Sequence, residues 1–272
     1  MRLAKQFGPL LIIGAGHMGG ALVEGWRRTR ALEASDFIIV DLAPGETAQR
    51  ACEAGARLNP PAGAYSEART VLLALKPQVW RSATEALTSQ LDPEATLISV
   101  MAGVSSAALI EQFGNRPVVR AMPTTATAVG KGSTGIWSAS AEFTNQIAEL
   151  FAPLGSVAQL EVEDQIHAVT AASGSAPAYL YAVVEALEAA GVAVGLGPQT
   201  ARALARQALI GAAALLESSG ESAETLRRQV TSPRGTTEAA LAVLTGDGAL
   251  DDLLGRTVAA AAARSRELGG ER

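Results

Sequence analysis

The segment GAGHMG, residues 14–19, has the spacing of a phosphate-binding loop. Three glycines stand in G-x-G-x-x-G order directly after the apolar run LLII and before a helical pattern. In this arrangement the first glycine permits a tight turn, the second lets a pyrophosphate approach the backbone, and the third lets helix and strand pack closely. We therefore predict dinucleotide binding by Gly14, Ala15, Gly16, His17, Met18 and Gly19. The His17 side chain is expected to face solvent rather than to act as a base.

A carboxylate stands at the end of the next apolar run, FIIVD, where Asp41 lies 22 residues after Gly19. A carboxylate at this position can bind the adenosine ribose hydroxyls and repels a 2′-phosphate, which favours NADH over NADPH. The alternative is a solvated turn residue ahead of the segment LAPGE. The sequence leaves both interpretations open.

Two further loops follow apolar runs, namely ALKPQ at 74–78 and VMAG at 100–103. Ligands of an open α/β sheet bind beyond the carboxyl ends of the strands, so we expect both loops beside the nicotinamide half of the cofactor. The predicted cofactor contacts are Leu75, Lys76, Pro77, Met101 and Ala102. The lysine is explained equally well as a loop residue that reaches water.

The segment TSPRGTTEAALAVL, residues 231–244, places small hydroxyl side chains and a glycine ahead of a helical apolar pattern. A helix that begins there directs unpaired amides and the positive end of its dipole outwards, which suits a carboxylate or a phosphate. Ordinary N-capping by Ser or Thr, with Pro in the first turn, explains the same residues.

Composition excludes several classes of protein. The chain has 272 residues, 48% of them hydrophobic, and a net charge of −5, so neither a disordered nor a nucleic-acid-binding protein is expected. A single cysteine, two histidines and no H-E-x-x-H motif leave no disulfide and predict no metal site. No signal-peptide pattern and no apolar run of about 20 residues occur, so we expect a cytoplasmic protein without membrane contact.

The elements that position these residues divide into two regions. Short β-rich runs alternate with helical patterns as far as about residue 160, which predicts a parallel sheet covered on both faces. The predicted strands are 10–14, 37–40, 70–75, 96–101 and 117–122, with 133–137 and 156–162 as additions. Predicted helices of this region include 78–91. From residue 163 onwards only helical patterns follow.

The predicted fold class is therefore α/β. A Rossmann-type doubly wound sheet, the dinucleotide-binding domain, occupies residues 1–161, and an all-helical domain for substrate binding and dimerisation occupies residues 162–272. Segments such as QTARALARQALIGAAALLESSG are apolar most of the way round, so they must be buried on more than one side. We expect a homodimer or higher homo-oligomer through these helices.

Several stretches resemble the pyrroline-5-carboxylate reductase family. They are IIGAGHMGGAL, LALKPQ, RAMPTTATAVGKGSTGI, IHAVTAASGSAPAYLY and QVTSPRGTTEAALAVL, and they follow the family's order along nearly the whole chain. The last is the most specific, because it resembles the family signature. The resemblance implies reduction of Δ1-pyrroline-5-carboxylate, a cyclic imine carboxylate, to L-proline with NADH or NADPH, and dimers that assemble further.

The resemblance also implies roles for single residues. The Thr237 hydroxyl matches the family residue that hydrogen-bonds the ring nitrogen of the substrate. The substrate carboxylate would be bound at the helix start that follows Ser232, by the amides of Gly235, Thr236 and Thr237. Ser175 would lie near the substrate ring.

The chain departs from the family pattern at several positions. Thr124 and Ala126 replace an Asn and a Pro, Ala176 replaces a Gly, and Arg234 replaces a Gly that tolerates positive φ. The segment Asp41-Leu42-Ala43 stands where many relatives carry Ser-Asn-Arg for a 2′-phosphate.

Rival functions remain. An imine reductase of broader specificity and a non-catalytic dinucleotide-binding protein both fit the sequence. A β-hydroxyacid dehydrogenase is disfavoured, because its catalytic lysine lies in the second domain and the last lysine here is Lys131. A hydrolase is disfavoured because no G-x-S-x-G elbow is present.

Overall fold

The structure is a computed structural model, and it describes residues 2–269. The chain forms two compact units. The first contains the residues up to Ser175 and those from Ala261 onwards, and the second contains Ala176–Ala260.

An eight-stranded sheet in the order β3-β2-β1-β4-β5-β6-β7-β8 is the centre of the first unit. All neighbouring strands are parallel except β6 and β7, which are antiparallel. The strands are β1 (Leu10–Ile13), β2 (Phe37–Val40), β3 (Arg57–Leu58), β4 (Thr70–Leu73), β5 (Thr96–Ser99), β6 (Val118–Pro123), β7 (Gly132–Ser138) and β8 (Gly155–Gln159). All seven predicted strands are present, and β3 is an additional two-residue strand.

The antiparallel pair departs from the prediction of a parallel sheet. Only residues 124–131 connect β6 to β7, and most of them form a 3-10 turn, Thr125–Val129. A parallel connection needs a crossover of a dozen or more residues. So short a link therefore forces the chain to reverse.

Helices cover both faces of the sheet, as predicted. One apolar cluster contains Trp26, Phe37 and Phe151, and the other contains Trp80 and Phe113. The helices of this part of the chain are α1 (Arg2–Phe7), α2 (His17–Arg28), α3 (Glu46–Glu53), α4 (Trp80–Thr84), α5 (Ser106–Phe113), α6 (Ala141–Phe151) and α7 (Gln165–Val169).

The long helix predicted at 78–91 is wrong in extent. Helix α4 ends at Thr84, and a short 3-10 turn, Thr88–Gln90, follows it. The Thr84 hydroxyl donates to the Trp80 carbonyl at 2.8 Å, and the Thr88 hydroxyl donates to the Thr84 carbonyl at 3.0 Å. Threonine bonds of this kind compete with the helical backbone and bend or weaken it.

The second unit is helical throughout. Its helices are α8 (Ala176–Ala193), α9 (Pro198–Ser219), α10 (Ala223–Gln229), α11 (Thr236–Thr245) and the first part of α12 (Ala249–Leu268). Many of their large apolar side chains are exposed in the single chain, among them Tyr181 at 63% and Val243 at 82%. Helices that are apolar on most of their faces need those faces covered to be stable.

The last residues of α12 belong to the first unit and are tied to α7. Ser265 and His167 are 3% and 2% exposed, and the Ser265 hydroxyl lies 2.8 Å from His167 Nδ1. Arg266 pairs with Asp164 at 2.9 Å. The hydrogen bond from Arg266 is the main reason why the pKa of the Asp164 carboxyl is lowered.

Among residues 2–269, no helix combines the length and apolar character that a membrane crossing requires.

Candidate active site

The glycine-rich loop forms one wall of a cleft of about 600 Å³ in the first unit. The other walls come from the turn before α3 and from the 3-10 turn after β6. Lining residues include Ala15, Gly16, His17, Ala43, Thr47 and Thr125. The predicted phosphate loop and the segment that follows β2 therefore share one cavity.

Two of the three loop glycines are required by the protein's own backbone. Gly14 has φ +93, a conformation that side chains rarely adopt. A Cβ on Gly19 would lie 2.1 Å from the Gly14 carbonyl oxygen, so α2 packs directly on the loop. These are the tight turn and the close packing that the motif predicts.

Gly16 is different, because nothing in the described chain demands a glycine there. Among residues 2–269, apart from its chain neighbours, no atom lies within 4 Å of a Cβ built on Gly16. Gly16 is also exposed and is the N-cap of α2, so it leaves the first-turn amides of that helix accessible. The absent side chain keeps open the space in which a pyrophosphate would approach the helix start.

Asp41 makes contacts that the sequence did not predict. Its Oδ2 accepts a hydrogen bond from the Ala15 amide at 2.6 Å, and its Oδ1 accepts one from the Ala43 amide at 2.8 Å. The carboxylate thus joins the glycine loop to the segment after β2. An ionised carboxylate has about four acceptor positions, so each oxygen can still accept a hydroxyl.

The other predicted cofactor residues follow β4 and β5. The Ala74 carbonyl and the Leu75 side chain lie 2.7 and 3.0 Å from the Cβ position of Gly14, so the loop after β4 packs against the glycine loop. Lys76 is exposed and Met101 is buried. Both loops lie at carboxyl ends of parallel strands, where ligands of such sheets bind.

Ser175 follows a short π-helical turn, Thr170–Gly174. The Ser175 amide donates to the Thr170 carbonyl at 2.8 Å and closes the widened turn. The Ser173 hydroxyl lies 2.6 Å from the Ser133 hydroxyl on β7. Such π turns often occur at functional sites.

Thr124 is hydrogen-bonded to the same residue of β7, Ser133. Its hydroxyl accepts a bond from the Ser133 amide at 3.1 Å, and its own amide donates to the Ser133 carbonyl at 3.0 Å. Thr124 therefore links the end of β6 to β7. No local pattern in the sequence pairs these residues.

The predicted carboxylate site lies in the second unit, at the start of α11. Gly235 is the N-cap, and its amide donates to the Ser232 carbonyl at 3.0 Å. A Cβ on Gly235 would lie 2.9 Å from the Ser232 carbonyl oxygen, so the backbone of this turn leaves little room for a side chain. In the described part of the chain the amides of Thr236 and Thr237 have no hydrogen-bond acceptor. The helix start therefore retains donors for an anion.

Arg234 adopts φ +58, the left-handed conformation that the replaced glycine would favour. Its amide donates to Glu238 Oε2 at 2.7 Å. The Glu238 side chain therefore stabilises the turn that carries Arg234.

No group of three or more His, Cys, Asp or Glu side chains suited to a metal ion occurs within the described residues.

Gly16→Ala and Gly19→Ala should separate ligand binding from folding. We expect Gly16→Ala to change the free energy of unfolding by less than about 0.5 kcal/mol but to weaken NADH binding at least tenfold. Gly19→Ala should lower stability as well, because its methyl group collides with backbone. Denaturant unfolding and fluorescence titration with NADH measure the two effects. Unchanged NADH affinity in Gly16→Ala would show that the ligand does not approach this residue.

Comparison with known proteins gives matches along the whole chain. Residues 163–268 match the family model described as pyrroline-5-carboxylate reductase dimerisation, and residues 9–103 match that of NADP oxidoreductase, coenzyme F420-dependent. The chain is similar to the pyrroline-5-carboxylate reductase of Pseudomonas aeruginosa, at 38% identity over 95% of this chain and 96% of the relative.

Solved structures agree with these matches. The pyrroline-5-carboxylate reductase of Coxiella burnetii has a TM-score of 0.85 at 30% identity, and the match covers 96% of this chain and 98% of that one. The pyrroline carboxylate reductase of Plasmodium falciparum with NADP bound has a TM-score of 0.80 at 24% identity over 96% and 97%, and it shows the shared fold. Since the 38% identity with the Pseudomonas aeruginosa enzyme extends over nearly the full length of both chains, the chain belongs to the pyrroline-5-carboxylate reductase family.

Proposed function

We propose that the chain reduces Δ1-pyrroline-5-carboxylate to L-proline with NADH or NADPH, the last step of proline biosynthesis. The observation that carries this proposal is the 38% identity with the Pseudomonas aeruginosa enzyme over 95% of the chain. The matches favour neither an imine reductase of broader specificity nor a non-catalytic dinucleotide-binding protein. A spectrophotometric assay of NADH loss with pyrroline-5-carboxylate tests the activity directly.

The residues of the cleft fit a dinucleotide. Gly16 leaves room for a pyrophosphate, and the exposed helix start offers amides to it. The loop residues from Gly14 to Gly19 and Asp41 would hold the pyrophosphate and the ribose. The loops after β4 and β5 would hold the nicotinamide through Leu75, Lys76, Pro77, Met101 and Ala102. When bound, the reduced cofactor supplies a hydride to the carbon of the C=N bond.

The start of α11 would hold the substrate. The amides of Thr236 and Thr237 and the positive end of the helix dipole suit the substrate carboxylate, with Ser232 and Gly235 forming the turn. The Thr237 hydroxyl would accept a hydrogen bond from the protonated ring nitrogen and so orient the iminium for reduction. Ser175 would lie beside the substrate ring.

Replacing Thr237 should test this assignment. Thr237→Ala is expected to lower kcat by about 10- to 100-fold, because a hydrogen bond to a charged group is worth about 1.5–3 kcal/mol. Thr237→Ser keeps the hydroxyl and should recover most of the rate. Thr245→Ala removes a hydroxyl from the other end of the same helix, where it donates to the Leu241 carbonyl, and should leave kcat unchanged. An unaltered rate in Thr237→Ala would mean that the catalytic hydroxyl lies elsewhere.

We further infer that NADH is preferred to NADPH. The Asp41 carboxylate is held by two backbone amides and still has acceptor positions for ribose hydroxyls. A 2′-phosphate in its dianionic form has no hydrogen to donate to the Asp41 carboxylate, unlike the ribose hydroxyl that it replaces. Its negative charge also repels the carboxylate.

Steady-state kinetics with both cofactors should show this preference. We expect kcat/KM to be at least about tenfold higher with NADH, a difference of about 1.4 kcal/mol. Asp41→Ser should lower the value for NADH and not for NADPH. Asp36→Ser makes the same charge change at the amino end of β2 and serves as the control. A tenfold preference of the wild type for NADPH would exclude the proposed role of Asp41.

We also infer that the homo-oligomer forms through the C-terminal helices. The match of residues 163–268 to the dimerisation family supports a homo-oligomer. Exposed apolar side chains of α8 and α9, such as Tyr181 and Leu215, supply a surface that a second copy would cover. The same match supports assigning dimerisation to residues 162–272, to which we also assign substrate binding, and the NADP oxidoreductase match of residues 9–103 supports assigning dinucleotide binding to residues 1–161. A cytoplasmic location remains a proposal, supported by the single cysteine.

Charges placed on these helices should disrupt the assembly. Tyr181→Glu combined with Leu215→Glu buries two unpaired carboxylates in the proposed interface, so light scattering should find single chains. Ile110→Glu is the control, because Ile110 is also an exposed large apolar side chain, at 42%, but lies on α5 of the first unit. This variant should leave the assembly intact. An unchanged mass of the double variant would place the interface elsewhere.

A further inference from the structure

Asp41 follows the last residue of β2, at a point that the neighbouring edge strand, β3, does not reach. The outermost strand, β3, pairs with β2 only at Ile38↔Arg57 and Ile39↔Leu58. The Asn59 amide then donates to the Ile39 carbonyl at 2.8 Å, and no residue of β3 remains to pair with the backbone of Asp41.

The side chain of Asn59 supplies the missing pairing. Its Oδ1 accepts a hydrogen bond from the Asp41 amide at 2.9 Å, and its Nδ2 donates to the Asp41 carbonyl at 2.8 Å. One carboxamide thus satisfies both backbone groups of Asp41, as a neighbouring strand would. On the inner side, the Gly14 amide donates to the Val40 carbonyl. The backbone around Asp41 is therefore held from both sides.

The backbone conformation at position 59 also selects this residue type. Asn59 has φ +46, which few residues other than glycine tolerate and which asparagine adopts most readily. Alanine would lose the carboxamide and strain the backbone. Glycine would lose the carboxamide alone, and so it isolates the contribution of the two hydrogen bonds.

The held backbone determines where the Asp41 carboxylate lies. With its main chain fixed by Asn59, Asp41 places one oxygen on the Ala15 amide of the glycine loop and the other on the Ala43 amide. Asn59 is exposed and Asp41 is half-buried, so neither residue belongs to the apolar core. Their pairing orders a surface turn beside the cleft.

We infer that Asn59 is a positioning residue for the cofactor, which acts by holding Asp41 where its carboxylate can bind the adenosine ribose. This inference rests on the proposed role of Asp41 in NADH binding. It assigns a function to a residue outside the glycine loop, which pairs with the backbone of Asp41.

Kinetics of Asn59→Gly test the inference in the full-length enzyme. We expect the KM for NADH to rise at least fivefold, while kcat and the KM for pyrroline-5-carboxylate change less than twofold. The KM for NADPH should change less than that for NADH, because the 2′-phosphate gains nothing from the carboxylate. Gln49→Ala is the matched control, since it removes a carboxamide that donates to the Pro44 carbonyl of the same turn without touching Asp41.

A double variant shows whether Asn59 acts through Asp41. In Asp41→Ser, the added change Asn59→Gly should not raise the KM for NADH further, because the carboxylate that it positions is gone. A KM for NADH unchanged in Asn59→Gly but raised in Asp41→Ser would overturn the inference and leave the role of Asp41 intact. A KM unchanged in Asp41→Ser would remove that role, and the inference with it.

A purely structural role for Asn59 gives a different pattern. In that case Asn59→Gly would lower kcat and raise the KM of both substrates together, with a lower Tm, and the inference would be wrong.

Discussion

The direct packing of α2 against the backbone that follows β1 is the contact on which the nucleotide end of the molecule depends. The Gly14 carbonyl oxygen occupies the space of a side chain at Gly19, so the helix can lie no closer and no other residue fits. This approach brings the start of α2 to the carboxyl end of the sheet, beside the loops that follow β2 and β4. Because helix amides at an N-terminus lack partners, the packing contact also creates the anion-binding character of the cleft.

The sequence predicted those features that follow from periodicity. Apolar runs mark the strands, and apolar residues at i, i+3 and i+4 mark most helices. Both patterns are present in the sequence because the sheet is buried on both faces by the helices that pack on it. Strand β3 escaped prediction because two residues, Arg57 and Leu58, carry no pattern. The antiparallel β6–β7 pair depends on the length of a connection rather than on the residues of either strand. The end of α4 depends on which backbone carbonyls accept hydrogen bonds from the Thr84 and Thr88 hydroxyls.

The site was predicted unevenly for a related reason. The glycines of the loop and of the turn before α11 are specified by local geometry, which a sequence motif records. The bonds of Asp41 to Ala15, of Thr124 to Ser133 and of Asn59 to Asp41 join side chains to backbone across 26, 9 and 18 positions. Such contacts exist only once the fold has brought the segments together. The positive φ of Arg234 shows the reverse case, in which a motif glycine defines a backbone shape that another residue then adopts.

The path of α12 has a consequence for how the molecule is made. The helical unit, Ala176–Ala260, interrupts the first unit, whose remaining part begins at Ala261. Ser265 lies 98 residues after its partner His167, and Arg266 lies 102 residues after its partner Asp164, so both are synthesised much later than the residues that they contact. The α7 region of the sheet unit therefore cannot make all its native contacts until the helical unit has been synthesised.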